Sequence, residues 1–181
     1  MAPLSNLVVC VDASAHSEQA WLWTLRLLSA ATKPVVAVRL ICVAVAPPLD
    51  LMDDADVPWV IASRLSGDDR QAKEAEKLAV EAASVVLRDL LEQHPPPKHA
   101  RVQLLTPMAA GNIGETICAA VGGDAPDLCV CGARGLSAFK RFLAGVGDAL
   151  LIGLGSVSDY LVHHASYPVC VVKTAAQKPE A

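Results

Sequence analysis

The sequence predicts an α/β fold, a five-stranded parallel sheet covered by helices on both faces, and three observations predict it. Short, mostly apolar segments recur along the chain, of which Asn6–Val11 is the most continuous, the pattern of strands buried on both sides. They alternate with helical segments in the order β-α-β-α-β-α-β-α-β, which right-handed crossovers wind into a doubly wound sandwich. The composition agrees: 53% of the 181 residues are hydrophobic but only 4% are aromatic. The apolar content is therefore Val, Leu, Ala and Cys, as a small parallel sheet requires.

Asn6–Val11 (NLVVCV) is the first strand. Asp12–Ser17 follows, rich in residues that cap helix N-termini. Apolar residues then recur at Ala20, Trp21, Trp23, Leu25, Leu27 and Leu28, a helix of about four turns that Pro34 stops. Trp21 and Trp23 fall on different faces of it, so one is expected to pack on the sheet. Val35–Val45 (VVAVRLICVAV) is the second strand, interrupted in its apolar character only by Arg39 and ended by Pro47-Pro48. Leu49–Asp69 is irregular and acidic, carrying Asp50, Asp53, Asp54, Asp56, Asp68 and Asp69. Arg70–Gln93 is a long helix with Glu76, Lys77 and Glu81 on its solvated side, and Pro95-Pro96-Pro97 breaks the chain after it. Ala100–Leu105 is the third strand. Gly111–Val121 reads as a helix with Asn112 as its cap. Asp127–Cys131 is the fourth strand, running into Gly132-Ala133-Arg134-Gly135. Ser156–Ala165 is helical, Pro168–Lys173 is the fifth strand, and a polar tail ends the chain. A single domain is expected, with core 6–174, an irregular loop at 46–69 and a tail at 175–181.

Charge and hydropathy exclude several classes. A net charge of −4 with a pI near 5.7 argues against a nucleic-acid grip, which needs a basic face. Mean hydropathy is +0.39, yet Val35–Val45 and Phe142–Leu154 both fall short of the roughly 18–20 apolar residues that span a bilayer. Residues 1–6 carry no basic stretch ahead of the short run Leu7–Val11, so no signal peptide is read, and a cytoplasmic protein is expected. Of the six cysteines, four sit inside apolar runs, where a thiol behaves as a small buried hydrophobe. Cys129 and Cys131 are not a C-x-x-C pair, and no metal site is expected.

In a doubly wound sheet, ligands sit beyond the C-terminal ends of the strands. There stand Asp12 after strand one, the glycines Gly132 and Gly135 after strand four, and Gly155-Ser156-Val157-Ser158 opening a helix. Glycines admit an anion to the backbone and allow positive φ, while first-turn amides and the helix dipole favour negative charge. Ser156 and Ser158 add hydroxyl donors, and Lys140 and Arg141 could neutralise phosphate. Asp12 suits a ribose hydroxyl or a metal-bound water. Each element also has an ordinary structural use: Asp12 and Ser156 as helix caps, Gly132 and Gly135 as a tight turn, and His16 as an exposed first-turn residue. His163 and His164 point about 100° apart on a helix and do not share a metal.

Together these residues resemble the universal stress protein family. Val11-Asp12-Ala13-Ser14-Ala15-His16-Ser17 with Ala20 and Trp23 is similar to the family's first strand and helix. Gly111–Ile117, Ala125-Pro126-Asp127-Leu128, Gly132-Ala133-Arg134-Gly135-Leu136 and Leu154–Ser158 continue the likeness, as do His164-Ala165 and Pro168-Val169, from residue 7 to 173. The resemblance implies strand order 3-2-1-4-5, the Rossmann-like, adenine nucleotide alpha hydrolase-like sandwich. It also implies ATP (or AMP, with Mg where phosphates demand it), with adenosine near Asp12 and Val43. Phosphates would lie over Gly132, Arg134, Gly135, Gly155, Ser156, Val157 and Ser158. It further implies a homodimer through the last strand and a role in stress response or signalling.

The chain departs from the family at one place. ATP-binding members separate the second and third glycines of the motif by nine residues; here nineteen lie between Gly135 and Gly155. Without Ala144–Gly153 (AGVGDALLIG) the nine-residue spacing returns. This insertion reads as a lid over the nucleotide, as a displacement that weakens binding, or as foreign sequence such as translated intron. Weakened or altered binding is the expectation, and a dimeric scaffold of the same family that does not bind ATP is the alternative. With no general base near the expected γ-phosphate, hydrolysis would be slow and no catalytic residue is expected. Enzymes on similar sheets fit less well: strand one is not followed by G-x-G-x-x-G, and no G-x-x-x-x-G-K-[ST] occurs.

Overall fold

In the computed structural model, which describes residues 4–30, 36–45, 69–109, 111–133 and 155–173, strands and helices alternate. They are β1 (Asn6–Cys10), α1 (Ala15–Ala30), β2 (Val36–Ile41), α2 (Asp69–Gln93), β3 (Ala100–Leu105), α3 (Ile113–Val121), β4 (Leu128–Gly132), α4 (Ser156–His164) and β5 (Val169–Val172). Expectations about the acidic stretch 49–68, Arg134, Gly135, Lys140, Arg141, the insertion 144–153 and the tail fall outside the described residues.

The strands form one parallel sheet in the order β3-β2-β1-β4-β5. The chain moves outward from β1 to β3, then returns to the other side of β1 for β4 and β5. With right-handed crossovers, that reversal places α1 and α2 on one face and α3 and α4 on the other. Side chains alternate accordingly. Leu7, Val9 and Val11 of the first strand join Val38, Leu40, Trp21, Leu28 and Leu87 in one buried layer. Val8 and Cys10 join Ile41, Cys129, Cys131, Ile117 and Leu161 in the other. Trp23 packs, partly buried, against the first of these layers, and Trp21 lies within it. Its ring is fully buried, and its Nε1–H donates to the His94 carbonyl at 2.9 Å, so the buried indole keeps a partner.

The second strand is shorter than its apolar run. β2 pairs with β1 only as far as Cys10 opposite Ile41. The Val11 amide then donates to the Ile41 carbonyl while Cys42 turns to Leu105, and a single bridge joins Ala44 to Met108. Residues 42–45 thus follow β3's extension after β1 has left the ladder, and this opens the sheet at its C-terminal edge.

At the opposite edge the strand starts are tied down. Arg39 reaches out of β2 and donates to the carbonyls of Val121 (3.0 Å) and Asp124 (2.7 Å), placing a cation where α3 leaves unpaired carbonyls. Asp127 accepts from the amides of Ser5 (2.7 Å) and Asn6 (2.9 Å) and from the Ser5 hydroxyl, and these bonds hold its carboxyl below the ordinary carboxylate range. Asn112 caps α3 as its sequence position predicts, accepting from the Gly114 amide at 2.8 Å. Gly122 ends that helix at φ +65°, a conformation open to glycine without steric penalty. Among the described residues, no helix is long and apolar enough to cross a membrane.

Candidate functional site

A cavity of about 430 Å³ opens at the C-terminal ends of β1, β2 and β4, at the reversal point of the sheet. That volume falls within the roughly 300–1,000 Å³ of small-molecule sites. Asp12, Val43, Gly132, Gly155, Ser156, Val157 and Ser158, far apart in sequence, all line it. Of the expected site residues, only Arg134 and Gly135 lie outside the described part of the chain.

The β1–α1 turn positions Asp12. One carboxylate oxygen accepts from the amide of Ser14 at 2.9 Å and from its hydroxyl. The Ser17 hydroxyl donates to the Asp12 carbonyl. Asp12 is therefore both a turn-forming acid and a charge on the cavity wall, two uses that the sequence offers as alternatives.

The glycines work differently from the expectation. Positive φ among the described residues is confined to Gly111 and Gly122; Gly155 has φ −67°. Gly132 instead gives room: a Cβ there would stand 2.6 Å from the His16 carbonyl oxygen. The end of β4 thus lies directly against the first turn of α1, and His16, half-buried, contributes its backbone.

Ser158 also departs from the expected role of an open phosphate donor. It is only 2% exposed, and its hydroxyl lies within bonding distance of the Gly155 carbonyl (2.9 Å) and the Ala133 carbonyl (3.3 Å). The Ala133 carbonyl accepts in addition from the Gly155 amide. Ser156 is exposed at the start of α4, where first-turn amides have no intrahelical acceptor.

Several lining residues carried no functional signal in the sequence. Ala79, Ala82, Ala83 and Val86 of α2 form one wall. Their 0, 3, 4, 7 spacing marks one helix face, and the small side chains leave space there. Ile113 and Ile117 of α3 form part of the other. Three thiols, Cys10, Cys42 and Cys131, also line the cavity. Burial, reinforced by the charge of Asp12, pushes the Cys42 thiol up to about 11. Burial, reinforced by Cys129, takes Cys131 to about 12. The Sγ atoms of Cys10 and Cys129 are 3.8 Å apart, and this contact, with burial, raises the Cys10 thiol well above its usual range. Among the described residues, no group of three or more His, Cys, Asp or Glu is placed to hold a metal ion.

A model of the universal stress protein family matches residues 4–173. The chain belongs to the universal stress protein family. Solved structures agree on the fold. Hypothetical protein MJ0577, a structural-genomics test case for assigning biochemical function, is 18% identical, with a TM-score of 0.63 over 96% of this chain and 99% of its own. Universal stress protein UspA from Lactobacillus plantarum is 17% identical, with a TM-score of 0.55 over 95% and 99% of the two chains. A universal stress protein family protein from Arabidopsis thaliana, solved with AMP bound, is 19% identical, with a TM-score of 0.49 over 95% and 93%. The first two, at such identities, show the fold alone and not the ligand. A search of curated proteins found no match. The strand order expected for a universal stress protein, 3-2-1-4-5, is the order observed.

Proposed function

We propose that this universal stress protein binds an adenine nucleotide, AMP or ATP, in the cavity at the ends of β1, β2 and β4, and acts as a dimeric stress-response or signalling module. The observation that carries this reading is the convergence, in one cavity, of Asp12 and Val43 with Gly132 and the start of α4. The apolar walls suit a base. The Asp12 carboxylate suits a ribose hydroxyl, as an acceptor matched to a donor. The N-terminus of α4 suits the first phosphate, because its amides and dipole favour an anion. Arg134 and Gly135 belong to the same reading as further phosphate contacts. Mg would bind through the phosphates of ATP. Turnover, where it occurs, is slow, since the carboxylate in the cavity lies at the nucleoside end.

Dimerisation is proposed through β5. This strand forms one edge of the sheet and offers Val169, Cys170, Val171 and Val172, all only half-buried. An apolar edge strand is a template for pairing with a second copy.

The nineteen-residue separation of Gly135 and Gly155 favours a second reading, a dimeric scaffold that does not take ATP. Calorimetric titration of the purified chain with AMP and ATP, together with mass analysis of copurifying nucleotide, separates the two. Binding with 1:1 stoichiometry supports the first; no binding of either nucleotide and none copurifying supports the second.

A further inference from the structure

The cavity contains one arrangement that the nucleotide reading leaves unused. The Ala133 carbonyl, at the end of β4, receives the Gly155 amide, and the Ser158 hydroxyl lies 3.3 Å from it. The same hydroxyl is 2.9 Å from the Gly155 carbonyl, one turn back. The chain therefore leaves the sheet at Ala133 and returns to it at Gly155 across one shared carbonyl. Ser158 is buried behind this junction, so water does not compete for its bonds.

We propose that Ser158 is a positioning residue. Its hydroxyl locks the N-terminus of α4 onto the end of β4, so that the helix end faces the cavity whatever the length of chain between Ala133 and Gly155. The proposal assigns Ser158 a role distinct from donating to phosphate: its single proton is committed to backbone carbonyls. It also bears on the ten-residue insertion Ala144–Gly153. A junction closed at its base passes no strain from a longer loop to the helix start. The subsite for the first phosphate is then kept, so binding of a nucleoside monophosphate does not depend on the length of that stretch of chain. The ligand part of this inference rests on the nucleotide reading above; the junction itself does not.

Two measurements on the full chain test it. The first is amide hydrogen exchange at Gly155, read by NMR without ligand. Gly155 should be protected in the wild type and equally protected after deletion of Ala144–Gly153. In Ser158→Ala it should exchange about tenfold faster, the equilibrium worth of one lost hydrogen bond. Unchanged protection in Ser158→Ala, or lost protection in a folded deletion variant, overturns the proposal. The second is calorimetric affinity for AMP and for adenosine. Ser158→Ala should weaken AMP by about five- to tenfold, the worth of a well-aimed helix end, and leave adenosine unchanged. Ser158→Thr, which keeps the hydroxyl, should restore AMP. Equal losses for AMP and adenosine would make Ser158 a general structural residue and overturn the positioning role. If the wild type binds neither ligand, the nucleotide reading fails and the exchange measurement alone decides the junction.

Discussion

Gly132 and His16 meet backbone to backbone: a Cβ on residue 132 would come within 2.6 Å of the His16 carbonyl oxygen and 2.7 Å of its carbon. This contact joins the end of β4 to the first turn of α1, the turn that Ser14 and Ser17 tie to Asp12. Gly132 and Asp12, which both line the cavity, are thus brought together by one close backbone approach.

Gly132→Ala should therefore destabilise the protein by about 1–3 kcal/mol, the usual range for overpacking. The opposing atoms are main chain and cannot swing aside. Urea denaturation at pH 7 should show a lower midpoint with an unchanged slope. A midpoint equal to the wild type would mean that α1 slides away at no cost, and that the approach does not define the cavity.

Gly114 and Tyr160 set a second tight crossing, between α3 and α4. A Cβ on Gly114 would lie 2.5 Å from Tyr160 Cδ1 and 2.8 Å from its Cβ. The ring is held by stacking on His164 at 4.1 Å between centroids. Gly114→Ala returns about 1 kcal/mol of helix propensity and incurs about 1–3 kcal/mol of overpacking, so a net loss of up to about 2 kcal/mol is expected. A double-mutant cycle with Tyr160→Ala should give a coupling of about 0.5–3 kcal/mol, as for residues in contact. Strict additivity would remove the crossing as the cause.

The cavity thiols make stability fall on the alkaline side. Burial raises Cys42 to about 11 and Cys131 to about 12, from 9.0 for the free thiol. The folded state therefore holds these protons more tightly than the unfolded state, and stability falls with pH where the unfolded state has released them. Their contribution should be complete below pH 9 and drain away between pH 9 and about 12. Chemical denaturation across that interval should show a decline that the double variant Cys42→Ala, Cys131→Ala reduces. An identical decline in the variant would assign it to other groups.

The sequence reports the sheet well because burial on both faces leaves a direct mark. LVVCV of the first strand and LCVC of the fourth are apolar throughout, and both strands lie where their runs lie. The same mark hides strand ends. Val35–Val45 stays apolar past Ile41 because Cys42 and Ala44 remain buried after β1 has left the ladder, so composition does not change where pairing does. Asn112 was readable as a cap because its partner, the Gly114 amide, is two residues away. Arg39 was not readable as a cap for α3, since its carbonyl partners lie 82 and 85 residues on.

The site shows the same division. Asp12, Gly132 and the start of α4 stood out by residue type and spacing, and Val43 by the family resemblance alone; all of them line the cavity. How they work was not. Gly132 leaves no room for a Cβ because of His16, on another element, and the Ser158 hydroxyl meets the carbonyls of Gly155 and Ala133. The alanine face of α2 looked like an ordinary helix surface because small residues signal a cavity only once the opposing strand is in place.

The alternation along β1 has an evolutionary consequence. Leu7, Val9 and Val11 serve one core layer and Val8 and Cys10 the other, while Asp12 follows directly at the cavity. Loss or gain of a single codon in β1 would exchange the two layers and reverse the direction of every side chain up to Asp12. Lineages of this protein should therefore show β1 free of length variation. Length changes should gather where the chain leaves the sheet and returns to one carbonyl.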